Sequence, residues 1–165
     1  MGSAISSLWM PQKLWVGMVG LPEAGKTSIV SKLKRNTIPV EWKPTYAVDL
    51  ADNGDVTVNG QPYNLFDYGG DIKFRPCWRS FLAKLDSILW VVDSTDREAL
   101  PEAKDELWRL LTADILEYKA VLVFANKQDS PKAMSVDEII DGLGLRDELK
   151  KSSRCVCPAI FHTLT

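Results

Sequence analysis

Short apolar runs alternate along this chain with stretches in which apolar residues recur every three or four positions. "KLWVGMVG" (13–20) predicts a buried strand that stops at a glycine, and "GKTSIVSKLKRN" (25–36) puts Ile29, Val30 and Leu33 on one face of a helix. "KPTYAVDL" (43–50) reads as loop, then extended chain. In "DVTVNGQPYNLFD" (55–67), Asn59-Gly60 between alternating segments signals a tight hairpin. Its strands are expected to be antiparallel and at the sheet edge, where Pro62 is tolerable. "SILWVVD" (87–93) and "AVLVFAN" (120–126) are continuous apolar runs typical of internal parallel strands. "PEAKDELWRLLTAD" (101–114) is an amphipathic helix with Pro101 in its first turn, and "SVDEIIDGLGL" (135–145) opens with a Ser135-x-x-Glu138 capping box. "RCVCPAIFHTL" (154–164) reads as a last strand. The alternation predicts an α/β fold with a mostly parallel sheet of about six strands, one antiparallel edge strand and helices on both faces. The sequence stops at Thr165, directly after that last strand, so a final C-terminal helix is expected to be missing and part of one face to be bare.

A length of 165 residues, with 45% hydrophobic and 25% charged residues, suits one compact domain with a real core. The net charge of -2 gives no ground for a nucleic-acid partner. No apolar run reaches the ~18 residues of a membrane span. Cys77, Cys155 and Cys157 lack zinc-site spacing and read as reduced core thiols in a reducing compartment. The first residues, Met1-Gly2-Ser3-Ala4-Ile5-Ser6, fit the pattern for N-myristoylation at Gly2. Ile5, Leu8 and Trp9 then share one face at helical spacing, ended by Pro11. An acyl chain plus a small apolar face is the two-signal arrangement that stable membrane anchoring needs, and the plainer alternative is a frayed tail. The expected organisation is an acylated amphipathic segment over 1–12, then one domain over 13–165.

Gly20-x-x-x-x-Gly25-Lys26-Thr27 has the spacing of a P-loop, with a strand before it and a helix after it. Backbone N–H groups at a helix N-terminus attract an anion, and glycines let the backbone come close. Gly20, Glu23, Ala24, Gly25, Lys26, Thr27 and Ser28 are therefore the candidate phosphate-binding residues, with Lys26 on the outer phosphates and the Thr27 hydroxyl on Mg²⁺. Pro22 lacks an N–H and is acceptable only where phosphate does not need one. Glu23 is expected to turn its carboxylate away. At the end of "AVLVFAN", Asn126-Lys127-Gln128-Asp129 carries an acceptor pair for a base. The Asp129 carboxylate matches the two adjacent donors of guanine, Asn126 can bond its carbonyl side, and the Lys127 stem can pack over the ring. Adenine leaves such acceptors unpaired, at about 1–3 kcal/mol each. Asp67-Tyr68-Gly69-Gly70 follows "YNLF": Asp67 can hold Mg²⁺ through water, and Gly70 can give its N–H to a γ-phosphate. Thr45, after Pro44, offers a second hydroxyl for the metal, although alone it reads as an ordinary loop residue.

Taken together and in this order, G-x4-GKT, P-T, D-x-G-G and N-K-x-D resemble the small GTPases. Within them, "DYGGDIKFRPCWRSF", "VVDSTDRE", "NKQDSPKAM" and the Gly2 site are similar to the ADP-ribosylation factor and Arf-like family, over roughly residues 2 to 155. The Sar branch is a weaker match. The resemblance implies a P-loop switch that binds GTP or GDP with Mg²⁺ and hydrolyses GTP. GTP would order switch loops at about 37–48 and 67–80 and shift the hairpin 46–67 between them. It further implies exchange factors, activating proteins and effectors as partners, a monomer, and a place on the cytosolic face of endomembranes such as the Golgi, in vesicle and intracellular protein transport. An apolar effector patch maps to Val48, Phe66 and Phe81, with core or partly buried strand residues as the competing assignment.

Three departures stand out. Asp71 follows Gly70, where the family has a glutamine that orients the attacking water, so Gly70 and Asp71 form an altered catalytic pair and slow hydrolysis is expected. The stretch around Asn53-Gly54 is a few residues long, so a bulge or longer hairpin is expected. The region near His162 to Thr165 lacks the family's last guanine-loop signature. Two further functions stay in view: a GTP-binding scaffold that does not hydrolyse, and a P-loop ATPase or small-molecule kinase, which Asn126 and Asp129 disfavour.

Overall fold

The computed structural model describes residues 12–35, 45, 48–116, 119–147 and 156–160, with backbone alone at 48–54, 115 and 156–160. Six strands, β1 (Leu14–Val19), β2 (Val48–Val58), β3 (Gln61–Tyr68), β4 (Ser87–Asp93), β5 (Ala120–Asn126) and β6 (Val156–Ile160), form one sheet in the order β2-β3-β1-β4-β5-β6. All neighbouring pairs are parallel except β2 with β3, at the edge. The expected α/β architecture is therefore present. On one face lie α2 (Arg75–Leu82), α3 (Leu100–Leu111) and α4 (Val136–Leu143), around Trp78, Leu82, Trp90, Leu107 and Leu143. On the other lies α1 (Lys26–Arg35), packing Ile29 and Val30 on Met18, Leu65, Val91 and Phe124. Beside α1 this second face opens into an apolar groove of about 300 Å³, bordered by Val16, Leu33, Val56, Tyr63 and Leu122. Among the described residues no helix follows β6, and none is long and apolar enough to cross a membrane.

The hairpin turns at Asn59 (φ 50°) and Gly60 (φ 81°), the two left-handed residues that a turn matched to strand twist requires. Pro62 is accommodated inside β3 because pairing with β1 begins one residue later, at Tyr63 opposite Leu14. Its missing N–H therefore costs no ladder bond on that side. The expected irregularity is real. Asp49 faces Asp67 and Gly54 faces Leu65, so five steps along β2 match two along β3 and a three-residue bulge interrupts the ladder.

One element was not foreseen, and one expectation fails. Residues 75–82, overlapping the expected switch segment 67–80, form a helix, α2, with proline in its first turn and Trp78 and Leu82 buried. Eight residues give too few turns for a clear period, so only Pro76 and the Trp78/Leu82 spacing announce it. Cys77 stands on the exposed side of that helix and is not a core thiol. Cys155, Gly2, the segment 1–11 and the region 162–165 lie outside the described residues, as does the side chain of Cys157.

The capping box on α4 forms as expected: Ser135 Oγ accepts from the Glu138 N–H, and Glu138 accepts from the Ser135 N–H at 2.8 Å. Those bonds and the Arg97 guanidinium at 2.9 Å lower the Glu138 pKa from 4.5 to about 2. The folded value is depressed, so this contribution is complete above pH 4.5 and is lost as pH falls toward 2. Ser135→Ala should lower unfolding free energy by about 1 kcal/mol in denaturant titrations at neutral pH, with the difference shrinking below pH 4.5.

Candidate functional site

Four loops meet at the C-terminal edge of the parallel strands: 20–25 after β1, 69–74 after β3, 94–99 after β4 and 127–135 after β5. Crevices outside the carboxyl ends of such strands are where open α/β sheets bind ligands. In the first loop, Gly25 has φ 90°, and a Cβ there would strike the Asn126 side-chain amide. Only glycine fits. Glu23 also adopts a left-handed conformation (φ 60°) and is exposed, as is Pro22. Alternation of left- and right-handed residues turns successive N–H groups inward and makes an anion-binding concavity at the start of α1.

Lys26 is buried beneath this loop, and its ammonium donates to the carbonyls of Gly20 (3.0 Å) and Leu21 (2.7 Å). Burial pushes its pKa down to about 8. Asp67 pulls it back up, and Arg75 presses it down. A cation desolvated in this way gains most from an anion. Ala24 is buried beside it, while Thr27 and Ser28 begin α1 half-buried.

Thr27 Oγ1 donates to Asp67 Oδ2 at 2.5 Å, and Thr45 Oγ1 lies 3.1 Å from Thr27 Oγ1 and 3.3 Å from Asp67 Oδ2. Two hydroxyls and one buried carboxylate, from three separate segments, thus converge on one point beside Lys26. Hard oxygens of this kind suit Mg²⁺, which takes few protein ligands and completes its shell with water and phosphate. The residues fit the metal.

Gly70 packs directly on the backbone of Gly20, Leu21 and Pro22, so closely that any Cβ would clash. Asp71 does not reach toward this contact. It is exposed, and its Oδ1 accepts the N–H of Lys73 at 2.9 Å, while its carbonyl accepts from Phe74. The residue at the expected water-orienting position therefore caps the turn leading into α2.

The residues expected to read the base, Asn126, Lys127 and Asp129, lie at and just after the end of β5. Asn126 Nδ2 donates to the Ala24 carbonyl at 2.8 Å, which ties the end of β5 to the phosphate loop. Lys127 pairs with Asp93 at 2.5 Å, and Asp129 is exposed at the loop. Burial works against the Asp93 charge, but bonds from Lys127 and Thr95 hold its carboxyl below the ordinary range. Ser94, fully buried, donates to the Asn126 carbonyl from both N and Oγ. Motif reading missed Asp93 and Ser94. Their signal was positional, because Asp93 ends β4 directly opposite Asn126 in register. It also missed Arg75 and Trp78, which donate to the Gly70 and Gly69 carbonyls.

Of the apolar trio, Phe66 is half-buried with its ring tilted against Trp15 (centroids 5.4 Å apart), whereas Phe81 is 41% exposed and lies 6.0 Å from Tyr68. The Val48 side chain is outside the described set.

A strand, a glycine turn and a helix with P-loop spacing, with an oxygen cluster and the end of β5 beside them, define a P-loop nucleotide-binding protein. The ADP-ribosylation factor family model matches residues 1–163, and the chain belongs to that family. Among solved structures it is similar to the small GTPase Arl6 (BBS3) from Trypanosoma brucei, described with the bound nucleotide analogue GppNp. Identity is 26% and the TM-score 0.74, with 90% of this chain and 87% of that one covered.

The bond from Asn126 to Ala24 couples the two halves of the site. Asn126→Ala should lower the unfolding free energy by about 1–2 kcal/mol in denaturant titrations and weaken guanine-nucleotide binding measured by fluorescent-nucleotide displacement. Unchanged stability would show that this bond does not join the loops in solution.

Proposed function

We propose that this chain is an Arf-like molecular switch. It binds GTP or GDP with Mg²⁺ through Lys26, Thr27, Thr45 and Asp67, and reads guanine through Asn126, Lys127 and Asp129. It hydrolyses GTP slowly and recruits effectors when GTP-bound, in intracellular transport at the cytosolic face of endomembranes. The observation that carries this reading is the convergence of Thr27, Thr45 and Asp67 beside Lys26, with Asn126 bonded to the same loop. Family membership and likeness to a GppNp-bound relative support it. Exchange factors and activating proteins would set the rates of the cycle, and an exposed Phe81 beside half-buried Phe66 fits an effector contact.

A second reading, a GTP-binding protein that does not cut its ligand, is favoured by one observation. The Asp71 carboxylate is spent on the Lys73 N–H and carries no donor for water. Single-turnover assays with Mg²⁺ separate the two. GTP but not ATP should be consumed, at or below about 10⁻⁴ per second, and Asp71→Gln should raise the rate. ATP turnover matching GTP would sink the guanine assignment, and no product from either protein would leave the non-hydrolysing reading.

Membrane attachment through myristoylated Gly2 and the apolar face of Ile5, Leu8 and Trp9 belongs to the same proposal. In vesicle sedimentation of protein expressed with an N-myristoyltransferase and loaded with GppNp, Gly2→Ala should move the protein to the supernatant. Continued pelleting would exclude acylation as the anchor.

A further inference from the structure

We propose that Trp78 and Arg75 are positioning residues for the turn that senses the third phosphate, and that through Arg75 helix α3 holds that turn. The inference rests on the guanine-nucleotide reading and goes beyond it.

In a trans peptide the C=O and N–H point in opposite directions, and no cis bond interrupts the described backbone. The peptide joining Gly69 to Gly70 carries the Gly69 carbonyl and the Gly70 N–H. Trp78 Nε1 donates to that carbonyl at 3.1 Å, so the Gly70 N–H must face away from Trp78. The following peptide carries the Gly70 carbonyl and the Asp71 N–H, and Arg75 Nε donates to that carbonyl at 2.9 Å. Two consecutive N–H groups are thereby aimed by two side chains of α2. Glycine peptides rotate more freely than others, so a donor on each carbonyl has a large effect on direction.

Neither donor can easily swing. Trp78 is 1% exposed and stands edge-on to the buried Trp90, with centroids 6.0 Å apart. Arg75 is 9% exposed, and its guanidinium pairs with Glu102 at 2.7 Å and Glu106 at 3.2 Å, both on α3. Glu106 is shared with Arg109 at 2.9 Å. Burying an arginine is costly unless its donors are satisfied, and here one of them is committed to the Gly70 carbonyl. At the far end of α2, Lys119 donates to the carbonyls of Leu82, Ala83 and Leu85. The helix carrying the two donors is thus pinned at both ends.

In the guanine-nucleotide reading, the two inner phosphates would lie on the loop 20–28 in both nucleotides, whereas only a third phosphate would take the Gly70 N–H. Loss of the orienting bonds should therefore weaken triphosphate binding selectively. The test is displacement of a fluorescent GDP analogue from the full chain by GDP and by GppNp, with Mg²⁺. Trp78→Phe removes the indole N–H and keeps an aromatic ring. It should lose about three- to tenfold in GppNp affinity, with GDP affinity within about twofold of wild type. Arg75→Lys retains the charge without the Nε–H and should move the ratio the same way, which keeps the test open if Trp78→Phe does not fold. Equal losses for both nucleotides, or none in either variant, would overturn the assignment. If wild-type protein binds neither nucleotide, the switch reading falls and takes this assignment with it. Binding by wild type with an unchanged ratio in the variants removes this assignment alone.

Discussion

Hydrogen bonding of β1 on both of its edges, to β3 and to β4, is the constraint on which the rest depends. Both pairings are parallel, so β1, β3 and β4 end at the same edge of the sheet, and β5 follows beside β4. The phosphate loop, Asp67, Asp93 and Asn126 are neighbours for that reason alone. Residues about a hundred positions apart in sequence are forced within hydrogen-bond reach, as Asn126 and Ala24 are. The apolar filling on the two faces, Trp90 on one and Val91 on the other, holds the sheet in this register.

Above that edge polar contacts join the loops to one another, while Leu21, Ala24 and Met134 anchor them in the core. Ser94 supports the Asn126 carbonyl, Asp93 holds Lys127, and Lys26 spans two carbonyls of its own loop. Polar groups removed from water must find partners, and these find one another across separate loops. At the Asn126 end, the register of β4 with β5 sets the geometry. At the phosphate end it depends on α2, which the hydrogen bonds of Arg75 and Trp78 join to the glycine turn.

The six strands, α1, α3 and α4 were legible because each combines a clear period with local punctuation such as Gly20, Asn59-Gly60 and Ser135. The residues expected to hold phosphate and metal could be singled out because P-loop spacing tolerates few alternatives, and the structure brings Thr27, Thr45 and Asp67 together beside Lys26. Helix α2 was hidden by its eight-residue length and by its place inside a segment expected to be loop. Asp93 was hidden because its role depends on the register of β4 with β5, which no local motif expresses. The orientation of the Asp71 carboxylate was equally out of reach. Its residue type announced a change in chemistry, but whether it faced the phosphates or its own turn depended on backbone dihedrals.

That orientation bears on how binding and hydrolysis are related in this chain. An aspartate is short enough to accept the N–H two residues on and so close the turn on itself, which a glutamine does less readily. In this structure the cap at Asp71, the Arg75 bond to the Gly70 carbonyl and the Trp78 bond to the Gly69 carbonyl all act on one five-residue stretch, 69–73. All three stiffen the segment that presents the Gly70 N–H, and none supplies a donor to an attacking water. If the turn works as proposed, the substitution at 71 trades a group that acts in the transition state for one that acts in the bound state. Only interactions stronger in the transition state than in the ground state speed a reaction. Under the proposed function, such a turn would favour holding a triphosphate over cutting it, and a partner that brings a donor to that water would set the timing of the cycle.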